Sequence, residues 1–123
     1  PVNGVDNQIK FIPDYFQYFT KIEYFNGDGF LNSDFNVFIS SWKNLESLWL
    51  TNCNIEDFPP SLKNLKKLNW LALNRNKIKN IPSWISKMES LEELYLGHNN
   101  LKIIPLKEIN KMKKLFNQIG NEK

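Results

Sequence analysis

Apolar and polar residues alternate in short bursts along this chain, and the bursts return at a fixed interval. LESLWLTNCNI begins at Leu45, LNWLALNRNKI at Leu68 and LEELYLGHNNL at Leu91, with successive starts 23 residues apart. Leu48-Trp49-Leu50, Leu71-Ala72-Leu73 and Leu94-Tyr95-Leu96 put apolar residues on every second place, the period of a strand with one buried face. After each burst a second apolar signal recurs at one offset: Phe58-Pro59, Ile81-Pro82 and Ile104-Pro105. Further apolar places follow at Leu62 and Ile85, then at Leu65 and Met88. A unit this short cannot close a core alone and must stack on its neighbours.

The register also runs backwards. Two periods before Phe58-Pro59 stands Ile12-Pro13, and the same step leads from Leu62 to Phe16, from Leu65 to Phe19 and from Leu68 to Ile22. Asn7 and Ile9 stand two periods before Cys53 and Ile55. A degenerate unit opens at Ile22, with Gly27 and Phe30 in the places of the leucine and the asparagine, and recovers at Phe35, Ile39 and Trp42. The partition expected is 1–21 (partial), 22–44 (degenerate), 45–67, 68–90 and 91–105 (regular), then 106–123. Strands are expected near 3–5, 24–28, 47–51, 70–74 and 93–97, and the prolines start return segments too short for a long helix. Past Pro105, Leu106, Ile109, Met112, Phe116 and Ile119 fall at helical spacing and Gly120 suits a stop, which predicts a terminal helix over the last core. Seven of the nine Phe lie between residues 11 and 38; large rings fill a less regular end of the core there, or line a pocket.

The pattern L-x-x-L-x-L-x-x-N-x-L, then I-P and two apolar places, resembles the leucine-rich repeat family. The likeness is to the 23-residue type of intracellular signalling scaffolds and bacterial repeat proteins. It covers nearly the whole chain, closely in three repeats and loosely in the two before them. Cys53 at an asparagine place, the disrupted repeat at Ile22 and one extra residue after Pro105 depart from it. The fold it implies is an α/β solenoid, a short curved horseshoe. A parallel sheet lines the concave side, short helical or 3₁₀ turns form the convex side, and a helix caps the C-terminus. The asparagine then has a reason. As the chain leaves each strand, backbone groups turn inward, and a buried amide both donates to and accepts from them. Asn7, Asn76 and Asn99 are the expected rungs of this ladder, with Cys53 as a buried, unreactive rung of lesser capacity.

In this fold the residues between the leucines face out on the concave side. Trp49, Trp70 and Tyr95 there, with Arg75, His98, Asn74, Thr51 and Glu93, are the expected contacts for a protein partner. Trp, Tyr and Arg dominate binding hot spots, although rings on a sheet also serve to cover neighbouring strands. Trp42 and Trp84 fall on the return path and read as packing. By the family resemblance, the concave surface is where partners dock. Five strands about 4.8 Å apart make a row of some 20–24 Å, a patch offering less than the roughly 800 Å² per partner of a standard interface.

Composition narrows the function without naming it. With 41% hydrophobic and 14% aromatic residues in 123, one compact unit is expected. No apolar run reaches the roughly 18–20 residues of a membrane span. The opening PVNGVDNQ has neither a basic start nor an apolar stretch, so no signal peptide is read there. The chain does not begin with Met, which suits a processed or trimmed product. A secreted or surface bacterial location, with its signal removed, and a cytoplasmic one both stay open. The net charge of +3 hides an acidic half, residues 1–62 at −5, and a basic half, residues 63–123 at +8. The basic half is almost all scattered Lys with Arg75 as its one arginine, so neither nucleic acid nor membrane insertion is expected.

No catalytic residues, metal or cofactor are expected. His98 is the only histidine and Cys53 the only cysteine, too few for a zinc site. NGDGFLNSD, residues 26–34, resembles a calcium loop but fails at two ligand places, taken by Tyr24 and Phe35, and reads as a turn. The Glu92-Glu93 pair has no predicted cleft. Two readings follow. One is a non-enzymatic protein-binding module. The alternative is self-association, as a dimer or by domain exchange, through an uncapped N-terminal edge.

Overall fold

The computed structural model describes residues 12–31, 34–105 and 107. Asn7, the strand expected at 3–5 and the terminal helix expected past Pro105 lie outside the described residues.

Four short strands form one parallel sheet in chain order: β1 (Tyr24–Asn26), β2 (Ser47–Trp49), β3 (Trp70–Ala72) and β4 (Glu93–Tyr95). Each residue pairs with the one 23 places on, as in Phe25↔Leu48, Leu48↔Leu71 and Leu71↔Leu94. The strands are shorter than expected, but lateral backbone bonds run beyond them. Glu46 N–H donates to Glu23 O at 2.7 Å before β2, and Asn52 N–H to Asn74 O at 3.1 Å after it. A single-residue slip would turn every leucine outward; Leu48, Leu50, Leu71, Leu73 and Leu94 are instead fully buried.

The return segments follow from the prolines. Single 3₁₀ turns span Asp14–Tyr18, Pro60–Asn64 and Ser83–Lys87, entered from Pro13, Pro59 and Pro82. Pro fixes φ and lacks an N–H, so it suits the entry of such a turn. The degenerate repeat has Asn36 at this place. There the chain forms helix α1 (Phe35–Ser41) instead, with the Asp34 side chain accepting from Val37 N–H. Asn36 Oδ1 accepts from Ser61 N–H at 2.7 Å, which joins α1 to the next turn. Among the described residues no helix is long and apolar enough to cross a membrane.

At the N-terminal end the leucine stack gives way to rings. Phe25 takes the place of Leu48, and its ring meets Trp42 at 4.6 Å and Phe16 at 6.2 Å. This explains Gly27 where a leucine belongs: a Cβ there would lie 2.6 Å from Phe25 Cε2, so the larger ring fills the space of two side chains. Trp42 is fully buried and donates its indole N–H to Phe16 O at 2.9 Å. Of the described phenylalanines at this end Phe19 alone is markedly exposed, while Tyr15, Tyr18 and Tyr24 face outward.

Behind the sheet stand the inward amides. Asn76 Oδ1 accepts from Cys53 N–H at 2.8 Å and Ile55 N–H at 3.0 Å. Its Nδ2 donates to Leu50 O at 2.9 Å and Leu73 O at 3.0 Å. Asn99 repeats the arrangement one period on, with Ile78 N–H, Leu73 O and Leu96 O as partners. Cys53 supplies only the donor half: its thiol reaches Gly27 O at 3.1 Å, the counterpart of the Leu50 carbonyl met by Asn76. That half suffices because Phe30 N–H is already satisfied by Gly27 O within its own turn. Burial pushes the Cys53 thiol up to about 12, so it stays protonated and unreactive at neutral pH.

Asn76→Ala is expected to destabilise the fold by about 3 kcal/mol or more, because it strands two buried N–H groups and the Leu50 carbonyl. Asn99, half-buried and facing fewer donors, should cost about 1–2 kcal/mol on the same change. Urea unfolding of the two variants checks the order, and equal or negligible losses would contradict the ladder.

Candidate binding surface on the parallel sheet

Alternation in the strands sends two registered rows outward. Tyr24, Ser47, Trp70 and Glu93 form one, and Asn26, Trp49, Ala72 and Tyr95 the other. Trp49, Trp70 and Tyr95 therefore stand on neighbouring strands in a zigzag. Their rings touch in sequence, Trp49 to Trp70 at 5.9 Å and Trp70 to Tyr95 at 4.9 Å, each pair tilted by about 40°. The rings lie low: all three are half-buried, while the small outward residues Ser47 and Ala72 beside them are only 8% and 5% exposed. So the aromatics do cover the sheet, yet each keeps an open flank.

Polar groups surround the rings. Tyr95 OH donates to Glu93 Oε1 at 2.5 Å; the carboxylate accepting its proton holds the phenol above its ordinary pKa. Trp70 Nε1–H and Asn74 Oδ1 are buried with no hydrogen-bond partner among the described residues. Each such group costs about 1–3 kcal/mol. Thr51 is half-buried, and its N–H is held by Asp28 Oδ1 at 2.7 Å. The carboxylate of Asp28 and the amide of Asn26, which accepts from Asp28 N–H, thus serve the turn at the calcium-like stretch. Among the described residues no group of His, Cys, Asp and Glu stands close enough to hold a metal ion.

Arg75 and His98 share a feature that alternation did not anticipate. Gly29, Asn52, Arg75 and His98, one per repeat, all have positive φ, at 85°, 58°, 57° and 59°. Gly and Asn enter this left-handed region easily and His more readily than most residues, whereas Arg does so at a cost of about 1–2 kcal/mol. The glycine and asparagine at the first two of these places were the signal in the sequence. Both Arg75 and His98 are exposed at the strand-exit rim. The surface thus gathers Trp49, Trp70, Tyr95, Glu93 and Asn74 closely, with Thr51 beside them and Arg75 and His98 along one edge. Trp84 lies elsewhere, half-buried with its ring edge-on to Phe58 at 6.2 Å.

Residues 43–101 match the leucine-rich repeat family. Among solved structures, a leucine-rich repeat protein of Leptospira interrogans aligns with 93% of the chain at 27% identity and TM-score 0.67. Internalin C2 of Listeria monocytogenes aligns with 78% at 26% identity and 0.54. The plant peptide hormone receptor RGFR1, solved in complex with RGF2, aligns with 87% at 24% identity and 0.68, a likeness of fold. The chain spans 28% of the Leptospira protein, 36% of the internalin and 18% of the receptor. No curated protein matches the chain in sequence.

Replacing Arg75 or His98 by Gly should leave stability unchanged or raise it by up to about 1 kcal/mol, since the relieved backbone offsets the entropy of a new glycine. A larger loss in thermal or urea unfolding would show that contacts, not exposure, hold these side chains in place.

Proposed function

We propose that this chain, a leucine-rich repeat protein, is a non-catalytic module that binds a protein partner through the outward face of its parallel sheet. The observation that carries this reading is the continuous run Trp49–Trp70–Tyr95 on that face. Covering the sheet accounts for the low angle of the rings. It does not account for an arginine and a histidine kept exposed where the backbone favours glycine. A docked protein supplies contacts for these rim residues and for the open flanks of the rings.

Self-association is the second reading. It is favoured by exposed rings at the N-terminal end of the described residues: Tyr24 on the edge strand β1, and Tyr15 and Tyr18, 60% and 74% exposed, on the 3₁₀ turn that packs against α1.

A crosslinked pull-down with wild type and the Trp49→Ala/Tyr95→Ala variant tests the proposal. Wild type should retain a partner that the variant loses by well over tenfold, given roughly 2 kcal/mol for each hot-spot ring, while circular dichroism of the two agrees. Equal capture by both would overturn it, and recovery of the protein itself alone from both would point to self-association.

A further inference from the structure

The charge of this protein is sorted by face. The laterally paired stretches 23–29, 46–52, 69–75 and 92–98 carry five acids, Glu23, Asp28, Glu46, Glu92 and Glu93, against one base, Arg75. They sum to −4, whereas the other described residues sum to +5. Glu23, Glu46 and Glu92 form one row at the strand entries, in step with Asn69, as the bonds from Glu46, Asn69 and Glu92 N–H show. Strands lie about 4.8 Å apart, so adjacent carboxylates in this row repel each other within the screening length of about 8 Å. Among the described residues, neither Glu46 nor Glu93 meets a Lys or Arg of this chain; Glu93 is held by the Tyr95 hydroxyl alone. That bond uses one carboxylate oxygen and leaves the other to accept.

Beside the Glu93 carboxylate lies the open flank of the rings, with Tyr95 in contact with both. An aromatic face attracts a cation, and a carboxylate next to it strengthens that attraction. A guanidinium brings donors only, in a flat fork that stacks on a ring and bridges to a carboxylate.

Resting on the binding reading above, we infer that the partner presents a basic segment, one arginine of which stacks on Trp70 and Tyr95 and pairs with Glu93 while a second basic side chain of the segment meets Glu46 two strands away. The sheet face therefore selects against acidic partners, although the protein as a whole is basic. Binding weakens as salt rises, because the contacts are charged and lie at the surface.

Titration of tryptophan fluorescence with a short oligo-arginine peptide, and with an oligo-glutamate peptide of equal length, tests the inference. The variants are Glu46→Gln/Glu93→Gln, which keeps an acceptor for the Tyr95 hydroxyl, and Glu56→Gln/Glu89→Gln, which removes the same charge from exposed residues off the paired stretches. Oligo-arginine should bind wild type and the second variant alike, and the first variant about tenfold more weakly. Equal weakening by both variants, or equal binding of oligo-glutamate, would overturn it. The natural partner separates the two proposals. If its capture needs Trp49 and Tyr95 but ignores the loss of Glu46 and Glu93 charge, the basic segment fails and the binding face stands. If capture needs neither, both fail.

Discussion

Everything in this fold depends on one requirement: a chain that turns inward every 23 residues must satisfy the peptide groups it buries. Asn76 and Asn99 meet it with one side chain each, accepting N–H groups of the repeat before and donating to carbonyls on both sides. Apolar burial supplies most of the stabilisation and excludes a one-residue slip, but it is indifferent to the peptide groups that turn inward. The amides are not. They fix each turn against the last, and the leucines follow into line. Where the ladder ends, at Cys53, a self-closing turn at Gly27–Phe30 takes over the duty.

Because the inward face is fully committed to core and ladder, variation is free only on the outward face. Across the rows at one place in the repeat the sheet carries Asn26, Trp49, Ala72 and Tyr95, a set with no common structural demand. The rings and the acidic excess both collect there. The face is small, and a few strong contacts must carry any affinity it has.

The regular repeats were readable because their signal is periodic: leucines, asparagine and proline recur at one spacing, each with a separate physical cause. The outward rows followed from alternation alone, so Trp49, Trp70 and Tyr95 could be grouped before any coordinates. The irregular end was less legible. That Gly27 makes room for the Phe25 ring is a fact of packing between residues whose sizes compensate, and no period reveals it. The helix at Phe35–Ser41 hinges on Asn36 replacing a proline. The charge of the face was hidden by reading acids and bases along the chain in halves; it emerges only when the strands are laid side by side. The left-handed backbone at Arg75 and His98 was masked by side chains that do not announce it.

The central claim is that function resides on the outward sheet face. Amide hydrogen exchange of the protein, free and bound to the partner it captures, tests this most directly. The account predicts added protection in 46–52, 69–75 and 92–98, with the 3₁₀ turns at Pro60–Asn64 and Ser83–Lys87 unchanged. Protection confined to those turns would contradict it.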